Sequence, residues 1–116
     1  MDPTPLFTKT FDFVTWLMPT TNHFPRTQRF LVTERLLGAA LDFQELILEA
    51  NNLFMPVRLE RLKQADAELD KVRIYLRLAL KWQWLQPGQY QHAAAMVTEI
   101  GRLLGGWQRV LRQSAT

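Results

Sequence analysis

Six apolar residues, Ala93, Val97, Ile100, Leu104, Trp107 and Leu111, recur at alternating intervals of four and three. Only an α-helix brings such positions onto one face, and that face must be buried against other helices. The same alternation governs three earlier segments. Residues 6–22 carry Phe7, Phe11, Val14 and Met18, with Phe13 and Leu17 widening the face. Residues 26–51 carry Val32, Leu36, Ala39, Phe43, Leu46 and Ala50, and residues 56–85 carry Leu62, Ala65, Leu69, Val72, Leu76 and Ala79. No stretch alternates with the period of a β-strand. With the last segment at 89–112, the expected class is all-α: an antiparallel up-down-up-down four-helix bundle. A chain of 116 residues, 47% hydrophobic and 22% charged, suits a single domain over 1–116 with one core.

The connections are marked by helix-breaking residues. Pro19 falls inside the first pattern and should kink the helix or end it early, leaving His23, Phe24 and Pro25 as the link. Asn51 and Asn52 stop the second segment, Pro56 can occupy the first turn of the third, and Pro87 with Gly88 interrupts the third from the fourth. The second segment also carries Phe30, Leu37, Leu41 and Leu48 beside its stripe. Such a surplus serves either a wide core, the reading favoured here, or a subunit interface.

Several function classes are excluded or left without support. With no cysteine there is no disulfide and no thiolate metal site. The N-terminus lacks a basic leader with an apolar core, and no run approaches the roughly 18 apolar residues of a membrane span, so a cytoplasmic protein with no membrane partner is expected. Asp42, Glu45 and Glu49 share a helical face, but carboxylate-bridged metal bundles need Glu-x-x-His pairs, and neither His23 nor His92 stands three residues after a glutamate. An acidic solvated face is the better reading. The only serine is Ser114, near the chain end. We expect no catalytic residue, no metal and no cofactor, hence no enzyme.

Charge is more informative. Residues 1–55 sum to −2 and residues 56–116 to +5, giving a basic second half and a net charge of +3. Arg73, Arg77 and Lys81 recur every four residues on one helical face, with Lys71 nearby and Arg102, Arg109 and Arg112 in the last segment. These cations suit phosphates or an acidic protein surface. A solvated face whose arginine stems cover apolar surface is the alternative. Trp82 and Trp84, beside the basic run, could stack on bases or belong to the core or an interface.

The stretch EIGRLLGGWQRVL holds Gly101, Gly105 and Gly106, which together cost about 3 kcal/mol in a helix interior unless packing offsets it. Gly101 and Gly105 share a lateral face with Ala94 and Thr98, a small surface suited to close approach of a second helix. Gly106 lies on the opposite flank and can make room for Trp107 or a neighbouring helix.

Three strings, WLMPTTNHFPRTQRF at 16–30, ADAELDKVRIYLRLAL at 65–80 and EIGRLLGGW at 99–107, resemble the Avd family, the accessory variability determinants of diversity-generating retroelements. The similarity runs in order over about residues 7–112. The family lies within a wider group of four-helix proteins related to the bacterial intervening-sequence S23 proteins. The resemblance implies a homopentameric barrel that binds the retroelement's reverse transcriptase and its template RNA or complementary DNA, supporting mutagenic reverse transcription without catalysing it. The family's arginine pair on the third helix, implicated in polymerase binding, matches Arg73 and Arg77. Lys71, Lys81, Arg102 and Arg109 join them only by charge and proximity. Two alternatives stay open: a self-associating S23-like structural protein without a retroelement partner, and a stand-alone RNA-binding module.

Overall fold

Proline and a few backbone-satisfying side chains set the helix ends. In the computed structural model, which describes residues 1–114, the chain forms α1 (Thr4–Thr21), α2 (Glu34–Asn51), α3 (Val57–Lys81) and α4 (Pro87–Ser114), with no strand among the described residues. Asp2 accepts a hydrogen bond from the Thr4 N–H at 3.0 Å, occupying one of the free donors at the start of α1. Pro19 lies in the last turn of α1, and the helix ends two residues later through successive tight turns, Asn22 N–H to Pro19 O, His23 to Thr20 and Phe24 to Thr21. The helix thus accommodates Pro19 in its last turn and ends within one residue of the expected segment, so the early termination expected at Pro19 does not occur.

The second segment is helical from residue 26 onward, but in three geometries. A 3₁₀ turn at Arg26–Gln28 passes into a wide π turn at Arg29–Thr33 and then into α2. The wide turn changes the angular step per residue, so Phe30 and Leu31 leave the core register and face solvent. At the far end of α2, Arg58 of α3 reaches back. Its Nε donates to Ala50 O at 3.0 Å and its Nη2 to Asn51 O at 3.1 Å, while its guanidinium sits 5.9 Å from the centre of a Trp107 ring. One cation of the basic half is thereby spent on capping a neighbouring helix.

The third helix ends earlier than the spacing suggests, at Lys81 rather than residue 85. Gln83 adopts φ 64°, in the left-handed region. Trp84 N–H donates to Ala79 O at 2.8 Å and Gln83 N–H to Leu80 O at 3.0 Å, a Schellman closure. Glycine is the usual residue there; a side chain costs roughly 1–2 kcal/mol. Pro87 then sits at the first position of α4, so it starts that helix instead of merely interrupting the chain. The Gln89 side chain accepts from the Gln86 N–H at 2.9 Å, half of a capping box.

The four helices share one apolar core, α1 packing on α2 and α4, and α3 likewise on α2 and α4. At 1.5 Å per residue the 28 residues of α4 span about 42 Å, most of the 48 Å long axis. On α3 the buried positions are Leu62, Ala65, Leu69, Val72, Leu76 and Ala79, and on α4 they include Ala93, Val97, Ile100, Leu104 and Trp107, with Leu111 half-buried. The first helix differs. It buries Leu6, Thr10, Phe13, Leu17 and Thr21, whereas Phe11 and Met18 are exposed. Thr10 can be buried because its hydroxyl donates to Leu6 O at 2.8 Å. In α2, Ile47 is fully buried where Leu46 is only partly so, and Leu41 and Leu48 remain in solvent. The favoured wide core is therefore corrected: within one chain, most of the surplus set lies outside it.

Candidate partner and nucleic-acid interface

Burying Leu69, Val72 and Leu76 turns Arg73 and Arg77 toward the α4 side of α3. Arg73 is held there by two neighbours. Its Nη1 donates to Asp70 Oδ1 at 2.8 Å, one turn back. Its Nη2 occupies the space that a Cβ on Gly101 would need. Leu69 Cδ2 lies 3.6 Å from the same point. Gly101 thus gives the guanidinium a seat against the α4 backbone, so Arg73 is positioned as well as charged.

Arg77, one turn further, is exposed and makes no ion pair among the described residues; the same holds for Lys81. Both flank an open groove of about 550 Å³ formed by Ile74, Leu78, Leu80, Gln83 and Tyr90. Two free cations beside apolar walls suit an anionic partner that also presents hydrocarbon or rings. Lys81 also lies in the last turn of α3, where the helix dipole favours positive charge. Ile74 and Tyr90 were not singled out by spacing, although Ile74 falls off the Leu69–Val72–Leu76 register, which is the signal that marks it.

The other cations lie elsewhere. Lys71 is on the opposite side of α3, in a groove toward α2 with Asp42, Glu34 and Tyr75. Its ammonium is 2.9 Å from Glu68 Oε1, and that hydrogen bond, with Asp42 adding a smaller attraction, holds its pKa above the ordinary lysine range. Arg102 is clasped by Glu99, Nε to Oε2 at 3.0 Å and Nη2 to Oε1 at 2.6 Å. The arginine in turn holds the Glu99 carboxyl below its ordinary range, with Lys9 contributing. Arg109, seven residues after Arg102 and so on the same face of α4, is exposed and makes no ion pair among the described residues. The structure therefore gathers Arg73, Arg77 and Lys81 and separates Lys71, Arg102 and Arg109 from them.

The remaining singled-out residues have simple surroundings. Apart from its own chain neighbours and the surrounding backbone of α4, no described atom lies within 4 Å of a Cβ placed on Gly105, and Met1 Cε is 3.7 Å from one on Gly106. His92 packs against Trp16, ring centres 5.1 Å apart, and His23 is exposed in the α1–α2 link. Asp42, Glu45 and Glu49 border a shallow groove with Glu68, and Glu49 pairs with Arg61 at 3.2 Å. Among the described residues no three His, Asp or Glu side chains converge as metal ligands, and no helix is long and apolar enough to cross a membrane.

Known proteins place this architecture. A crystal structure of a protein of unknown function from the S23 ribosomal protein family of Bacteroides thetaiotaomicron superimposes with a TM-score of 0.84. The alignment covers 94% of this chain and 99% of that one. At 18% identity the likeness speaks for the fold alone. No curated protein matches the sequence. Residues 6–111 match the bAvd-like family, a span that reaches from the first turn of α1 into the last turn of α4 and includes the Arg73–Arg77 face together with its glycine seat. The chain belongs to the bAvd-like family.

Proposed function

We propose that this protein is a non-enzymatic accessory subunit of a diversity-generating retroelement, binding its reverse transcriptase and template RNA or complementary DNA in the cytoplasm. The family match over residues 6–111 carries this reading. In it, residues 1–116 form a single domain whose helices run up-down-up-down, and five copies close into a barrel. Short links and the packing of each helix on its sequence neighbours support the antiparallel order. The exposed apolar residues of α1 and α2, among them Phe11, Met18, Leu41 and Leu48, support self-association. A ring repeats each weak basic face and so multiplies the field and the simultaneous contacts.

Arg73, seated on Gly101, and Arg77, free beside the groove, are the principal polymerase contacts, with Lys81 extending the same face. Lys71, Arg102 and Arg109 belong to other faces and serve nucleic acid or a neighbouring subunit. The combined variant Arg73→Ala, Arg77→Ala should keep the fold and the oligomer yet lose co-purification with the reverse transcriptase by tenfold or more, on the order expected for paired interface arginines. Wild-type recovery of the polymerase would overturn the assignment. A steep fall of binding with salt would point to phosphate contacts, a shallow one to the apolar groove.

A second reading is favoured by the same apolar face: a self-associating S23-like protein with no retroelement partner. A reverse transcriptase gene and paired near-identical repeats beside this gene support the first reading, and their absence the second.

A further inference from the structure

One end of the molecule is built from residues 13–33 and 71–98, and neither stretch contains a single Asp or Glu. Carboxylates reach the border of these stretches, Glu68 at Lys71, Asp70 at Arg73 and Glu34 beside Phe30 and Tyr75, and none is contributed by the stretches themselves. At this end Trp82 is 47% exposed, unusual for so large an aromatic. It leans on Trp84, ring centres 4.9 Å apart at 41°, and Trp84 is anchored on the buried Phe24 at 5.6 Å. The indoles and Gln28 line an open hollow of about 360 Å³. The left-handed Gln83 between the two tryptophans, closed by the Trp84 N–H to Ala79 O bond, fixes their relative placement.

The surroundings select the ligand. Lys81 precedes Trp82 directly, and Arg26 and Arg29, on either side of Gln28 in the chain, line a neighbouring hollow with Met18, Phe24 and Leu37. None of these three cations is in an ion pair among the described residues. Gln28 and Gln83 add amide groups that can hydrogen-bond to base edges. A planar ring needing a cover, amides at its rim and unopposed positive charge match unstacked bases on a phosphate backbone. A duplex, whose bases are already stacked on one another, offers the rings no such surface.

We propose that Trp82, backed by Trp84, bordered by Gln28 and next to Lys81, is a base-stacking site for single-stranded nucleic acid, with Arg26 and Arg29 in the adjoining hollow. The site rests on the nucleic-acid part of the proposed function and adjoins the polymerase contact centred on Arg73 and Arg77, with which it shares Lys81. Arg77 and Lys81 lead from that face toward the indole, so one strand could pass along both.

The test uses the full chain and a fluorescein-labelled RNA of about 20 nucleotides, read by anisotropy at low salt. Trp82→Ala should weaken binding about tenfold, and Trp82→Phe should recover most of that loss because a ring is restored. An abasic strand of equal length should bind wild type more weakly and be indifferent to Trp82→Ala. Equal binding by wild type and Trp82→Ala, equal binding of abasic and base-bearing strands, or no RNA binding by wild type would each overturn the proposal. So would a Trp82→Ala variant that loses the polymerase while keeping the RNA, since the indole would then be a protein contact. Failure of the polymerase reading is seen separately, in the Arg73→Ala, Arg77→Ala variant, and leaves the RNA result standing.

Discussion

The α3–α4 half of the molecule and the first helix treat the same apolar spacing differently, with α2 between them, burying four of its six stripe residues. Along α3 all six stripe residues are buried, and along α4 five of six are. In α1 none of the four stripe residues is fully buried: Phe7 and Val14 are half-covered, and Phe11 is 62% exposed. The difference follows from surplus. Where charged residues border a narrow stripe, only one orientation hides the apolar groups, and the register is determined. Where apolar residues cover half the helix, several orientations are nearly equal, and the partners choose among them. In α1 they choose the face that includes Thr10 and Thr21, whose hydroxyls donate to Leu6 O and Met18 O and so bury at little cost.

The comparison breaks most sharply at a single core residue. Leu76→Ala, in the determined half, should cost about 2–5 kcal/mol in urea unfolding, whereas Met18→Ala, on the exposed face of α1, should cost less than about 1 kcal/mol. Equal costs would mean that the α1–α2 face is covered even in the isolated chain. The next effect is on assembly. Leu41→Glu with Leu48→Glu should leave helix content unchanged and weaken self-association by tenfold or more, as seen by sedimentation, because charges would then need burying at the proposed subunit contact.

Two glycines sharpen the picture of the α3–α4 half. Gly105→Ala should raise stability by about 1 kcal/mol, since a methyl there meets open space and alanine favours helix. Gly101→Ala should gain less and displace Arg73, the flexible group that must yield, lowering polymerase recovery severalfold at unchanged fold. A Gly101→Ala variant with full recovery would show that the seat is unimportant. The smallest effect concerns Glu99. Its pKa is depressed in the folded chain by Arg102, so its contribution is present above the ordinary carboxylate range and disappears as pH falls through its folded value. The melting difference between wild type and Glu99→Gln should therefore shrink on going from neutral pH to below about pH 4.

Much of this was legible in the residues themselves. The class, the four segments and the stripes of α3 and α4 follow from intervals of three and four, and Arg73, Arg77 and Lys81 were found on one face by the same rule. Lys71 was misjudged as a neighbour because proximity in sequence ignores the 200° that separate positions 71 and 73 around a helix at 100° per residue. Arg102 shows a different limit: its charge is engaged by Glu99, three residues earlier, and whether such a pair forms depends on rotamers rather than on spacing. The end of α3 was set four residues late, since nothing in WQW announces a left-handed Gln83.

The sequence by itself determined that the chain is helical, where the helices lie and which stripe α3 and α4 must hide, because periodicity and apolar burial are local or nearly so. Tertiary structure alone decided which face α1 turns inward, that Gly101 lodges Arg73, and that two carboxylate-free stretches meet around Trp82. Each of those depends on what a second helix brings within a few ångströms, and no interval along one chain segment records it.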